Sequence, residues 1–242
     1  MSVQSFLPTS APMLRNPLGQ PYRALEGALR LEIPSALDGG YQALSIADIV
    51  MRRMEVLTRA TYLRRNWWDY AFQAGDVALY TPDGSVKLVR NAVEQLQLSP
   101  VLGSYLDGAL VCADDLLCDL EGLVLSRQEV DEMHCRPLTP REVEANHVWL
   151  YLLQDNAHLL KNYVDAVVRH GGPNGEPKQP DMASMWLAFS PPPLLATVSL
   201  IAISDAPSND SSLFIGSSLE SPFGRLAVRH KRGRIPASER LL

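Results

Sequence analysis

Residues 195–203 read LATVSLIAI, and this short run is the clearest strand signal in the sequence. It carries no charge and contains the β-branched residues that fit a pleated, buried surface. A shorter apolar run occupies 185–189. Two more, at 213–215 and 225–228, are suited to pair with the run 195–203. We therefore predict that strands within 185–228 form part of a β-sheet.

The segment 76–89 reads DVALYTPDGSVKLV and predicts a β-hairpin. Two runs of alternating apolar and polar residues flank the tripeptide Pro82-Asp83-Gly84. Proline presets one backbone torsion angle and glycine accepts a positive φ, so this tripeptide favours a tight turn. We expect the hairpin and the strands in 185–228 to make a small antiparallel β portion.

Three other segments carry apolar residues at the three- and four-residue spacing of an amphipathic helix. We predict about three long helices, over roughly 46–73, 104–123 and 140–170. A hydroxyl side chain followed three residues later by an acid caps a helix N-terminus. Such pairs occur at Ser45–Asp48, Ser126–Glu129 and Thr139–Glu142. The predicted fold class is α+β, with the long helices at the centre of the molecule.

Composition divides the chain into three parts. Residues 1–21 contain four prolines and no continuous apolar core, so we expect an extended N-terminal arm. Residues 22–224 are long enough for a single α+β domain, with the loop 171–181 as a candidate sub-boundary. Residues 225–242 are expected to form a basic C-terminal arm.

The sequence gives no sign of membrane insertion or secretion. It contains no apolar run of the roughly 18 residues that a transmembrane helix needs, and its first residues do not resemble a secretory signal. Its cysteines are Cys112, Cys118 and Cys135, an odd number that does not make a closed set of disulfides. We therefore predict a reducing, cytoplasmic location and no membrane partner.

Charge is distributed very unevenly along the chain. Residues 225–242 contain six Lys or Arg and one acid, whereas residues 101–135 contain eight acids and one base. The formal net charge of the whole chain is only −5. Because local charge decides what a surface attracts, the two segments are candidate binding surfaces of opposite sign.

The basic C-terminal arm has three interpretations. Clustered cations near a terminus repel one another and are stabilised when an anion neutralises them. The arm would then follow a nucleic-acid phosphate backbone. In the second interpretation it docks on the acidic surface 104–132, in the same chain or in a neighbouring subunit. In the third it is a solvated tail.

The segment 64–72 places two arginines beside four aromatic residues. Arginine pairs with phosphate, and an exposed aromatic ring stacks on a base. The alternative is that Trp67, Trp68 and Phe72 belong to the core while the arginines extend to solvent. The predicted nucleic-acid-binding residues are Arg225, Arg229, Lys231, Arg232, Arg234, Arg52, Arg59, Arg64 and Arg65.

No catalytic motif accompanies these features. The sequence lacks a phosphate-binding loop, a dinucleotide-binding glycine pattern and a nucleophile elbow. Two sets of side chains have the right chemistry for a metal but the wrong spacing: Asp114, Asp115 and Asp119 for magnesium, and His134, Cys135, His147 and His158 for zinc. We predict no catalytic residue, metal or cofactor, and an enzyme is the least favoured class.

The sequence-based hypothesis is a non-enzymatic nucleic-acid-binding subunit of a larger intracellular assembly. It would contact the phosphate backbone of DNA or RNA without strong sequence readout, because no ordered base-reading element is recognisable. Its acidic 104–132 surface would face a protein partner. The alternative is a structural or scaffolding protein that uses the basic arm and the acidic helices for protein–protein contacts.

Overall fold

A computed structural model of the chain describes residues 18–96, 105–112, 120–178 and 185–231. Within these ranges eleven strands form one mixed sheet, and eight short helices pack around it. The strands are β1 Tyr22–Glu26, β2 Tyr41–Ala43, β3 Phe72–Tyr80, β4 Val86–Val89, β5 Tyr105–Leu106, β6 Ala109–Val111, β7 Leu123–Leu125, β8 Leu187–Phe189, β9 Thr197–Ile203, β10 Leu213–Ser217 and β11 Arg225–His230. The helices are α1 Leu29–Asp38, α2 Ile46–Val56, α3 Thr61–Trp68, α4 Arg127–Met133, α5 Pro140–Ala145, α6 His147–Leu152, α7 Ala157–His170 and α8 Ala206–Asn209.

Two long strands, β3 and β9, run antiparallel through the middle of the sheet, and every residue of both is buried. The main strand order is β1–β11–β3–β9–β10–β8, with parallel pairing between β11 and β3 and between β10 and β8. The strand predicted at 195–203 therefore forms, as β9. The hairpin predicted at 76–89 also forms, from β3 and β4 around Pro82-Asp83-Gly84.

Alternate residues of β9 enter two different cores. Ile201 and Ile203 point to the face covered by α2 to α7, which we call the helical face. Val198 and Leu200 point to the other face, which we call the second face. There α1 supplies Leu29 and Ile33, and the segments 92–96 and 109–111 complete the cover.

The predicted helical centre is wrong: the molecule is built on a sheet, and the long helices are replaced by short elements. The segment 46–73 contains two helices, α2 and α3, and its last residues already belong to β3. The capping box predicted at Ser45–Asp48 is confirmed at the start of α2. The apolar spacing in 46–73 therefore predicted helices correctly, but it did not predict that they are two short helices.

The segment 104–123 is the clearest misassignment. Its described residues form strands β5 and β6, joined at Asp107-Gly108, and β7 begins at Leu123. Asp107 and Gly108 both have positive φ, of 50° and 79°, which is the backbone of a type I′ hairpin turn. The dipeptide Asp-Gly is a strong hairpin signal, and it outweighs the helical spacing of the leucines around it.

The segment 140–170 contains three helices instead of one. The capping box at Thr139–Glu142 forms, as does the one at Ser126–Glu129 in front of α4. Two further caps divide the segment, because Asn146 accepts hydrogen bonds at the start of α6 and Asn156 does so at the start of α7. Asn146 thus stands directly between α5 and α6, because its side chain competes with the helical backbone. Helix α6 ends at Leu152, and Gln154 and Asp155, both with positive φ, separate it from the cap at Asn156.

Strand β3 changes its neighbours through a bulge at residues 74–76. Gln73 pairs with Ala202 of β9 and Val77 with Leu200, so three residues on β3 lie opposite one on β9. The Gly75 amide instead donates to Leu44, and its carbonyl accepts from Val93. The bulge therefore separates the part of β3 that adjoins β11 from the part that adjoins β4.

The carboxylate of Asp76 stabilises this bulge, which we call the branch point of the sheet because β3 changes its neighbouring strand there. It is fully buried and accepts the backbone N–H of Ile46 at 2.6 Å and that of Asn91 at 2.8 Å. It thereby ties the start of α2 and the loop after β4 to the central strand. Burial raises the pKa of Asp76 to about 6, because desolvation of the charge outweighs the two hydrogen bonds.

Arg53, in α2, is completely buried and ties the helices to the ends of three strands. Its donors bond the carbonyl oxygens of Trp67, Tyr70 and Ser204 and the hydroxyls of Tyr163 and Ser211, at 2.8 to 3.1 Å. These are five hydrogen bonds, the full donor capacity of a guanidinium group. Three of the acceptors are backbone carbonyl oxygens, so these hydrogen bonds form only when the backbone at Trp67, Tyr70 and Ser204 is in place.

Among the residues that the structure describes, no helix is long and apolar enough to cross a lipid bilayer.

Replacing Arg53 by Lys should strongly destabilise the fold. The ammonium group cannot reach acceptors that a planar fork spans, and each buried acceptor left without a donor costs about 1–3 kcal/mol. We expect the free energy of unfolding in urea to fall by at least about 3 kcal/mol. The matched control is Arg59→Lys, at an exposed position just after the same helix, which should change it by less than about 0.5 kcal/mol. Equal effects of the two substitutions would contradict the structural role of Arg53.

Replacing Asp76 by Asn should remove one pH dependence of stability. Since the pKa of Asp76 lies above its ordinary value of 3.8, the folded chain holds this proton more tightly than the unfolded chain. The free energy of unfolding of the wild type should therefore rise, relative to the variant, as the pH falls from 7 to 4, by on the order of 2–3 kcal/mol.

The control for that experiment is Asp83→Asn, because Asp83 lies in an exposed turn where the Thr81 hydroxyl and the Ser85 amide lower its pKa. The wild type should lose stability relative to this second variant as the pH falls through that lowered pKa. The measurement is urea unfolding at several pH values, which gives the difference in free energy of unfolding between the wild type and each variant. If that difference changes with pH in the same direction for both variants, the assignment for Asp76 is refuted.

Candidate functional site

The second face of the sheet is left uncovered over β8, β10 and the Ala202 end of β9. Register pairs place four residues in one row across the sheet: Gln73 beside Ala202, Ala202 beside Phe214, and Phe214 beside Ala188. Paired residues of neighbouring strands point to the same side, so this row forms a continuous surface. Because helix α1 and its neighbouring segments cover only the other part of this face, the row opens toward solvent.

The row forms a cleft because its side chains alternate in size. Ala202 leaves a depression between Gln73 and Phe214, and Ala188 leaves another on the far side of Phe214. The resulting cavity has a volume of about 310 Å³. Trp186 packs its ring edge-on against Phe214, with ring centroids 5.0 Å apart. The cleft is therefore an apolar, partly aromatic concavity of the size typical for small binding sites.

An exposed aromatic residue stands at the rim of the cleft. Phe223 lines the cavity, yet 91% of its surface is accessible to solvent. Tyr70, two residues before β3, is also exposed, at 49%. Large exposed apolar side chains beside a concave surface are typical of interaction sites, whereas scattered ones carry no meaning.

Arg225 closes one end of the cleft at the start of β11. Its guanidinium carbon lies 4.2 Å from the centre of the Tyr70 ring and 5.2 Å from that of Phe72. Its Nε lies 3.1 Å from a carboxylate oxygen of Glu26, its cross-strand partner on β1. The charge of Arg225 is thus balanced within the chain, and the side chain acts as a flat, stacked wall.

A buried amide, that of Gln73, links the cleft to the strand ends around it. Its Nε2 donates to the hydroxyl of Ser217 at 3.0 Å, and its Oε1 accepts the backbone N–H of Arg225. The opposite wall is fixed by Ser190, whose hydroxyl donates to the carbonyl of Gly216 at 3.1 Å. These bonds preform the cleft before any ligand arrives.

The residues predicted to bind nucleic acid do not form a basic arm where they are described. Residues 225–230 are strand β11, inside the sheet. Arg225 pairs with Glu26 at 3.1 Å, Arg229 with Asp48 at 3.6 Å, and Lys231 with Glu94 at 3.0 Å. These carboxylates lie outside the acidic 104–132 surface. Arg232 and Arg234 lie outside the described residues.

The arginines of the 46–73 segment are also dispersed. Arg52 pairs with Glu55 at 3.0 Å and stacks on Tyr22, while Arg64 and Arg65 both donate hydrogen bonds to Asn174. Arg59 is exposed. Trp67 and Trp68 are buried in the helical-face core, so the core interpretation of these aromatic residues is the one the structure bears out.

The candidate metal ligands do not assemble among the described residues. No group of three or more His, Cys, Asp or Glu side chains is placed to hold an ion in the described part of the chain. His134 lies 3.4 Å from the Cys135 sulfur through Nε2, but its Nδ1 accepts the backbone N–H of Phe189 at 3.0 Å. Asp114, Asp115 and Asp119 lie outside the described residues.

The residues that shape the cleft escaped sequence reasoning. Phe223 lies in the loop Ser221-Pro222-Phe223-Gly224. A large aromatic residue among turn-forming residues indicates an exposed ring, and this signal could have identified Phe223. Ala188 and Ala202 carry no chemical signal, because their role depends on the neighbours that strand pairing gives them. Arg225 was named, but for its charge rather than for its flat stacked face.

Comparisons with known proteins identify the fold only. Neither a protein-family model nor a curated protein matches the sequence. One solved structure, from work on how the C-type lectin fold accommodates massive sequence variation in Nanoarchaeota, superposes with a TM-score of 0.61. The alignment covers 86% of this chain and 96% of the other, at 11% sequence identity.

The likeness shows that this chain has a C-type lectin-like fold. The α+β description with a helical centre is therefore corrected to a sheet-rich fold of this kind. Nucleic-acid binding gains no support: the described cations on which that prediction rested are paired or dispersed, and the structural likeness concerns the fold alone.

Proposed function

We propose that this C-type lectin-like chain is a non-enzymatic recognition protein that binds another protein through the cleft over Ala188 and Ala202. The partner inserts an aliphatic or aromatic side chain from an uncharged segment. The observation that carries this proposal is Phe223, which stands 91% exposed at the rim of an open apolar surface. Among the functions weighed from the sequence, the scaffolding alternative is the nearest to it.

The cleft has the composition of a protein-binding hot spot. Hot spots are enriched in tryptophan, tyrosine and arginine, and they lie in preformed pockets surrounded by polar groups. Here Phe214 and Phe223 make the apolar surface, and Arg225 lines one end of it. Outside the lining, Trp186 packs against Phe214 and Tyr70 stacks with Arg225. Burying an exposed phenylalanine contributes about 1.5–3 kcal/mol, so contact with Phe223 is a substantial part of a binding energy.

Charge indicates which partner the cleft selects. Among its lining residues the one with an ionised side chain is Arg225, and Glu26 balances it. A polyanion gains its affinity from several uncompensated cations, which this surface does not present. A neutral apolar segment has no charged side chain to desolvate here, and so it is the favoured ligand.

The fold supports a recognition role because part of the cleft lies outside both cores. Phe223, Tyr70 and Phe214 contribute to neither buried cluster. In Nanoarchaeota the C-type lectin fold is described as accommodating massive sequence variation. We infer that in this chain too the surface residues of the cleft are replaceable without loss of the framework.

Peptide display tests the proposal. A random peptide library is selected on the wild-type protein, with Ala202→Leu protein as the counter-target, because leucine fills the depression between Gln73 and Phe214. We expect the enriched peptides to share an aromatic or large aliphatic residue. Their affinity should fall at least about tenfold on Phe223→Ala and on Ala202→Leu, since losing a hot-spot contact is worth about 1.4 kcal/mol or more.

The matched control is Leu194→Ala, which removes an exposed apolar side chain (87% exposed) outside the cleft and should leave affinity unchanged. Circular dichroism melts establish that Phe223→Ala remains folded. Selection that yields no peptide, or peptides that bind Ala202→Leu equally well, would sink the proposal. So would concentration-dependent dimerisation abolished by Phe223→Ala, because the occupant would then be a second copy.

A further inference from the structure

A second cavity lies where strand β3 changes its neighbours. It has a volume of about 280 Å³ and opens beside the bulge, with Gly75 in its wall. Six polar side chains line it: Gln42, Asp48, Asn91, Glu94, Gln154 and Arg229. We call it the polar cavity. Its lining shares no residue with that of the cleft.

The walls of the polar cavity are held by buried hydrogen bonds. Asp76 fixes Ile46, at the start of α2, and thereby Asp48 two residues further on. It also fixes the backbone of Asn91, which adopts a left-handed conformation with φ of 50°. Because the same buried carboxylate anchors both walls, the cavity is built into the branch point of the sheet.

Arg229 offers unused hydrogen-bonding capacity to the cavity. Its Nη1 lies 3.6 Å from Asp48, a distance that gives an ion pair but no strong hydrogen bond. The structure shows no hydrogen bond from its guanidinium to any residue in the described ranges. A planar guanidinium group with open donors binds a carboxylate through two parallel hydrogen bonds.

Two carboxylates in the same wall suit a cation. Asp48 carries its negative charge beside Arg229, and Glu94 lies 3.0 Å from the Nζ of Lys231. Three primary amides complete the lining, those of Gln42, Asn91 and Gln154, and none is bonded to a described residue. Amides both donate and accept hydrogen bonds, so they satisfy the polar groups of a small ligand.

We propose that the polar cavity binds a small zwitterion, an α-amino acid. Its carboxylate pairs with Arg229, its ammonium group with Asp48 and Glu94, and the amides contact its side chain. The volume lies near the lower end of the roughly 300–1,000 Å³ of small-molecule sites, which suits a ligand of this size. Arg229 and Lys231 offset the charges of Asp48 and Glu94, so the cavity favours a ligand that also carries one charge of each sign.

The wild-type chain tests this directly. The standard L-α-amino acids are added one at a time in thermal denaturation, and those that raise the melting temperature are titrated calorimetrically. We expect saturable one-to-one binding with a Kd between about 10 µM and 1 mM. Two derivatives of the best amino acid serve as controls. The N-acetyl derivative lacks the ammonium charge, and the α-carboxamide derivative lacks the carboxylate. Each should bind at least about tenfold more weakly than the amino acid itself.

Variants locate the site. Arg229→Lys keeps the charge but loses the planar fork, and Glu94→Gln removes one exposed carboxylate; each should weaken binding at least about tenfold. Arg136→Lys is the control, because Arg136 is exposed and lines neither the polar cavity nor the cleft, and it should leave binding unchanged.

Three results would overturn the zwitterion site. They are the absence of binding by every amino acid, equal binding of the N-acetyl or amide derivative, and unchanged affinity in both Arg229→Lys and Glu94→Gln. None of them bears on Phe223 or Ala202, so failure here is distinguishable from failure of the protein-binding cleft.

Discussion

The guanidinium group of Arg53 is the interaction on which the rest of the structure depends. It is buried without a carboxylate partner among its five hydrogen bonds, so its charge is solvated by carbonyl and hydroxyl oxygens alone. Those oxygens come from α7, from α3 and the residues that follow it, and from the connection between β9 and β10. The core closes only when these segments meet at one point.

This closure also decides where the binding cleft lies. Arg53 holds the carbonyl of Tyr70, and the ring of Tyr70 in turn packs against Arg225. It also holds Ser204 and Ser211, which flank the connection between β9 and β10. The helical face thus fixes the strand ends that border the cleft, while Phe214 and Phe223 of the cleft remain outside the two cores.

Local signals in the sequence predicted local structure well. The three capping boxes form because a side chain and an amide three residues apart need no tertiary context. The hairpin at Pro82-Asp83-Gly84 forms for the same reason. The run 195–203 is a strand because its β-branched, uncharged residues suit a position buried on both faces.

What failed was the inference from spacing to long helices and from charge to a binding arm. Leucines around Asp107-Gly108 fit a helical and a strand pattern equally, and the turn decided between them. Arg225 and Arg229 of β11, and Lys231 just after it, have partners in β1, α2 and the loop after β4, segments far away in sequence. The candidate site was invisible for a related reason: two alanines make a cleft only when strand pairing sets larger residues beside them.

The bulge in β3 has a consequence for how the chain tolerates insertions and deletions. Between the pairs Gln73–Ala202 and Val77–Leu200, β3 carries two residues more than β9. An even excess keeps inward and outward positions in phase on both sides, whereas an odd change would turn one half of the strand inside out. Length changes of two residues at this point would therefore reshape the polar cavity and leave the alternation that builds both cores intact.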